Sequence, residues 1–198
     1  GFSLKGDKLF LSKIGSCRVR LSREVEGKIK TCTIKRECDG WYVVFTAEGS
    51  ASKQLPKTGI NVGVDVGIEY FATLSTGEHV ENPRFFKKSE LALREAQQKL
   101  STKKRGSGRR RAAKKIVSKV HRKVQNQRKD FAHKLANSLI NRFDEIHIEA
   151  LNIKRMTQDE NFAKSIHDAA WNTFFQICTY KAVDAGKSVK EKVAPFTS

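Results

Sequence analysis

Apolar and polar positions alternate through residues 2–48 in short runs rich in β-branched and aromatic side chains. KLFL, CRVRL, KIKTCTIKR and WYVVFTAE are separated by turn signals, notably Glu26-Gly27 and the hairpin dipeptide Asp39-Gly40. Strands at this spacing predict a small antiparallel barrel or sheet. The stretch EGSASKQLPKTG (48–59) has Gly, Ser and Pro with little apolar content, and predicts a linker over 49–59. A second β region opens with GINVGVDVGI. Ile60, Val62, Val64 and Val66 share one face of that strand, and Asn61, Gly63, Asp65 and Gly67 share the other. YFATLS, a Thr76-Gly77 turn and EHVEN then predict an antiparallel hairpin.

The period lengthens at Ser89, a good N-cap with Glu90 behind it. Leu93, Ala96 and Leu100 fall on one helical face, RGSG (105–108) interrupts, and Ile116, Val120 and Val124 mark a second helix. QRKDFAHKLANSLINRF predicts a further helix with Phe131, Leu135, Leu139 and Phe143 in register. EIHIEALNI (145–153) reverts to a strand. Thr157-Gln-Asp-Glu160 matches a capping box, opening a helix that runs past Phe162, Ile166, Ala170, Phe174 and Cys178 to Gly186 at its C′ position. One more alternating strand lies in KSVKEKVAPFTS, and no internal repeat is visible.

Charge sharpens this picture. The formal net charge is +18, and between Arg84 and Lys129 lie 18 Lys or Arg against two Glu, Glu90 and Glu95. The rest of the chain is close to neutral, so a basic helical block sits on a neutral body. At that density self-repulsion is costly without a polyanion, and nucleic acid is the expected partner. The candidate phosphate contacts are Lys87, Lys88, Lys103, Lys104, Arg105, Arg109, Arg110, Arg111, Lys114, Lys115, Arg122, Lys123 and Arg128. No run reaches the roughly 18 apolar residues of a membrane span, and the opening GFSLKGDKLFL lacks the features of a signal peptide. Cys17, Cys32, Cys38 and Cys178 show no C-x-x-C spacing and read as small residues of a reducing cytosol. The only methionine is Met156, so the chain is expected to be part of a longer protein.

Asp65 is the anomaly, a carboxylate on a glycine-lined face of an otherwise apolar strand. An ionised group leaving water needs a base, a hydrogen-bond cage or a metal. Strand, hairpin, helical insertion, strand, helix, strand suits an α/β domain in which the strand ending at Glu149 returns beside the first. Asp65 and Glu149 then project from adjacent strands, where a divalent cation relieves their repulsion. Alternatively each acid caps a loop or meets a Lys of the basic block. Spacing alone leaves both readings open.

GVDVGI, YFATLSTGEHVENPRFFKKSE, NQRKDFAHKLANSLI, IHIEALNIKRM, and the DAAW and YKA beyond them together resemble the TnpB/OrfB family. These are insertion-sequence proteins labelled transposases and associated with DNA recombination, similar to the type V CRISPR nucleases. The resemblance covers nearly the whole chain. It implies a partial β-barrel (wedge) domain over 1–48, and an incomplete RNase H-like (RuvC-type) domain over 60–198 with a basic helical hairpin inserted at about 84–129. It implies a cytoplasmic, nucleoid-associated prokaryotic endonuclease guided by RNA, using Mg²⁺ in a two-metal mechanism on DNA. By position, Asp65 matches the first catalytic Asp and Glu149 the catalytic Glu, both as metal ligands.

The departures from the family pattern are also specific. Ala150 stands where relatives usually carry an acid, which weakens support of the metal. The N-terminal segment, the four-cysteine zinc ribbon with its zinc, and the third catalytic Asp are not matched, so this stretch of chain alone is expected to be inactive. Two other readings compete: a catalytically silent protein that binds DNA through guide RNA, and a basic RNA-binding structural protein. The last explains the charge but not Asp65.

Overall fold

The computed structural model describes residues 1–49, 54–149 and 168–191, and the chain divides into two compact units, Gly1–Ala51 and Ser52–Ser198. In the first, β1 (Phe2–Lys5), β2 (Lys8–Leu11) and β3 (Gly15–Arg18) form an antiparallel meander, and β4 (Lys28–Arg36) pairs with β5 (Trp41–Glu48) as a separate hairpin. The Asp39-Gly40 signal closes that hairpin, where the Glu37 N–H donates to the Gly40 carbonyl at 2.8 Å. Gly27 has φ +78°, and a Cβ there would lie 2.2 Å from the Glu48 carbonyl oxygen, so only glycine fits. Leu9 is the one buried residue among those described in this unit. The unit's described strands thus form two small antiparallel sheets over a sparse core.

The second unit is a mixed α/β layer structure. Its five-stranded sheet has the order β10-β9-β6-β7-β8, from β6 (Asn61–Val66), β7 (Tyr70–Leu74), β8 (His79–Glu81), β9 (Glu145–Ile148) and β10 (Ser188–Glu191). β6, β7 and β8 run antiparallel, whereas β9 and β10 lie parallel to β6. The alternation read from the sequence holds: Val62, Val64 and Val66 are buried, while Asn61 and Asp65 are exposed. Ile60, half-exposed, lies just outside the strand. Behind the valines, with Ile146 and Ile148, pack Ala132, Ala136, Leu139, Ile140, Phe174 and Cys178. Phe71 meets Phe131 and Phe174 edge-on, with centroids 4.8 and 5.3 Å apart. Burial pushes the Cys178 thiol up to about 12, which makes it inert packing.

The helices are α1 (Phe85–Ser101), α2 (Gly108–Arg142) and α3 (Trp171–Asp184), and three boundaries differ from the sequence expectation. α1 starts four residues before Ser89, because the Asp168 carboxylate accepts from Phe86 N at 2.8 Å and Lys87 N at 3.2 Å. That distant acid replaces the local cap. The two helices expected on either side of Gln125 are one, since no Gly or Pro interrupts residues 109–142. α2 packs with α1 and with α3, and its apolar stripe changes partner along its length. Ala170, expected mid-helix, is left-handed at φ 55° and caps α3. The capping box at Thr157–Glu160 lies outside the described residues. Gly186 behaves as expected, with φ +71° and the Lys187 N–H returning to the Ala182 carbonyl at 2.8 Å.

Asp144 gathers the entries of three strands. Its carboxylate accepts from Thr58 N (2.9 Å) and Gly59 N (2.7 Å), and the buried Lys187 ammonium pairs with it at 3.2 Å, off hydrogen-bonding angle. Its backbone bonds Ile60 and Ser188. These donors, the Thr58 N–H foremost, hold its carboxyl down at about 2. A depressed folded-state pKa contributes stability above the ordinary carboxylate value of 3.8 and loses it as pH falls toward 2. Urea midpoints measured across that window should fall for the native chain. Asp144→Asn should lower them at neutral pH and flatten the acid limb.

Candidate active site and nucleic-acid interface

The parallel pairing of β6 and β9 brings the backbone leading to Asp65 alongside the backbone leading to Glu149. The register runs Asn61 with Glu145, Val62 with Ile146, Gly63 with His147 and Val64 with Ile148. The next residues are Asp65, still within β6, and Glu149, just past the end of β9. Asp65 lies on the face of β6 opposite the buried valines. Asp65 is exposed and Glu149 half-buried, and neither has an ion-pair or hydrogen-bond partner among the described residues. The alternative in which a Lys of the basic block neutralises Asp65 finds no contact there.

The face around them is polar. Asp65 pairs in register with Thr73, and Thr73 with His79. Thr73 Oγ1 lies 3.2 Å from His79 Nδ1, and the His79 ring stacks on Tyr70 at 4.4 Å. On β9, His147 Nε2 is 2.8 Å from Glu145 Oε1, which also meets Lys190 of β10 at 2.6 Å. The glycines leave less room than the strand pattern predicts. The space above Gly63 is met by the Ser75 side chain at 3.5 Å, whose hydroxyl accepts from Gly63 N at 3.0 Å. At Gly67 a Cβ would come within 3.2 Å of the Tyr70 carbonyl, so that glycine serves a close backbone turn.

The basic residues divide into two groups. Lys87, Lys88, Lys103, Lys104, Arg105, Arg109, Arg111, Lys114, Lys115 and Lys123 are exposed on α1, α2 and the loop between them. Arg110 and Arg128 are occupied. Arg110 Nη1 donates to the Leu100 carbonyl at 3.0 Å and the Lys103 carbonyl at 2.9 Å, closing the end of α1. Arg128 donates to Asp168, with Nη2 at 2.8 Å and Nε at 3.3 Å. Arg122 is half-buried and also engaged. Ser107 caps α2 by accepting from Arg110 N at 3.1 Å. Sequence reasoning missed His79, His147 and Asp168 as site-forming residues. The alternation of Glu145, His147 and Glu149 signalled the second; Asp168 and His79 stood only inside stretches that carry the family resemblance, with no role attached.

These features define a mixed α/β protein with an exposed acid on the central strand of its sheet and a strongly basic pair of helices. The OrfB_IS605 family model, described as "Probable transposase", matches residues 42–160, and the chain belongs to this TnpB/OrfB family. A "Putative RNA-guided DNA endonuclease" of Streptomyces pristinaespiralis is 32% identical over 95% of this chain and 48% of its own length. "Putative RNA-guided DNA endonuclease InsQ" of Escherichia coli (strain K12) is 27% identical over 98% of this chain and 52% of its own length. The chain thus spans about half the length of the curated relatives it matches. A chain in "Cryo-EM structure of the Cas12f1-sgRNA-target DNA complex" aligns with a TM-score of 0.48 and 14% identity, over 82% of this chain and 41% of that one. Among the described residues, no helix is long and apolar enough to cross a membrane.

Proposed function

We propose that this chain is the core of an RNase H-like (RuvC-type) DNA endonuclease directed by a guide RNA, with Asp65 and Glu149 as its acidic pair. The observation that supports this reading is the β6–β9 register, in which Val64 pairs with Ile148 immediately before the two acids, neither of which has a side-chain partner among the described residues. The donor set is all oxygen, which suits Mg²⁺. When bound, such an ion activates water and stabilises the leaving oxygen of a phosphodiester. The chain's own residues do the rest. β6 and β9 fix the two carboxylates, and the exposed Lys and Arg of α1 and α2 neutralise backbone phosphates. The two-metal form of this chemistry, the third Asp and the zinc ribbon are expected from the family beyond the segment matched here. The relatives' names supply the RNA guide and the DNA target.

The test is cleavage of a target duplex by the whole protein loaded with its guide RNA, with Mg²⁺ and with EDTA. Magnesium-dependent cutting is the expected result. Tight, guide-directed binding without cutting at any metal concentration would favour the silent DNA-binding reading instead.

A further inference from the structure

We propose that Asp168 is the positioning residue of the basic helices, a clasp that ties the start of α1 to α2. α1 cannot start itself. Its N-cap, Arg84, is left-handed at φ 47° and offers no side-chain cap, and its first turn contains no acid. Lys87 and Lys88 put positive charge at the positive end of the helix dipole. Asp168, its side chain 9% exposed, supplies the missing anion from 82 residues away. One carboxylate thereby accepts from two backbone amides of α1 and from the Arg128 guanidinium of α2.

The same helix end is tied on its other side. The Asn82 amide donates to the Ile68 carbonyl at 2.8 Å, and its oxygen accepts from Arg84 N at 3.2 Å. Ile68 lies three residues beyond Asp65, in the turn that leaves β6. Asn82 and Asp168 therefore hold α1 between the Asp65 strand and α2. Arg128 belongs to the clasp and not to the phosphate surface. The effect on nucleic acid rests on the proposed function; the clasp itself does not.

The experiment uses the whole protein, in four variants. Asp168→Ala should speed hydrogen exchange at the Phe86 and Lys87 amides by about 10-fold or more, given the strength of hydrogen bonds to charged groups. It should weaken duplex and guide-RNA binding several-fold with an unchanged salt slope, because no phosphate contact is removed. Asp168→Asn keeps an acceptor for the amides and should exchange more slowly than Asp168→Ala, which guards against a variant that merely unfolds. Exchanging the pair, Asp168→Arg with Arg128→Asp, should restore neither property, since the amides still lack their anion. Rescue by the exchange, or unaltered exchange in Asp168→Ala, would overturn the clasp. So would Arg128→Ala lowering the salt slope by about one, the signature of a lost phosphate. If the native protein neither binds nor cuts DNA while amide exchange responds as stated, the endonuclease reading fails and the clasp stands.

Discussion

Asp65→Asn and Glu149→Gln should each abolish magnesium-dependent DNA cleavage by the whole guide-loaded protein while leaving guide-RNA binding within about twofold. Both substitutions keep side-chain shape and remove one charge. Neither carboxylate bonds another described residue, so folding has little to lose. Cation-based charge stabilisation is worth several kcal/mol in the transition state, and each 1.4 kcal/mol is tenfold in rate, so a loss of about 1,000-fold or more is expected. Single-turnover cleavage across a Mg²⁺ series is the measurement. A variant that cuts within tenfold of the native rate would remove the acidic pair from the mechanism.

Replacing Lys104, Arg105 and Arg109 together by Ala should weaken binding to unrelated nucleic-acid sequences alike. These three surround the turn between α1 and α2 and are exposed, and the bonds that close it come from the Lys104 carbonyl and the Arg110 guanidinium, not from their side chains. If each neutralises one phosphate, the slope of log affinity against log salt should become shallower by about 2–3. Arg110→Ala should behave differently. Its guanidinium serves the Leu100 and Lys103 carbonyls, so it should lower the thermal midpoint of the helix pair and leave the slope nearly intact. A filter-binding titration from low to high salt separates the two outcomes. Identical slopes for the triple variant and the native protein would show that this end of the helix pair lies away from the phosphates.

The strands and their faces were legible in the chain itself. Period-two alternation in GINVGVDV, the Asp39-Gly40 and Thr76-Gly77 turns and the Gly186 stop are local properties, set by side-chain direction and by the few residues that accept left-handed backbone. The anomaly of a carboxylate on a glycine-lined face was equally local, and it pointed to Asp65 before any partner was visible. Three things were decided elsewhere. The order β10-β9-β6-β7-β8 and the register that pairs Val64 with Ile148, one residue before each acid, depend on pairing between segments about 84 residues apart. The start of α1 moved from Ser89 to Phe85 because its anion comes from Asp168, which no window around residue 85 contains. Charge counting grouped Arg110 and Arg128 with the free cations, although one is spent on carbonyls of the preceding turn and the other on an acid whose side chain is largely buried. Periodicity reports which side of an element faces the core. The distant group that satisfies a helix end or an ion is a property of the packed chain, because backbone amides and buried charges take whichever partner the tertiary fold brings within reach.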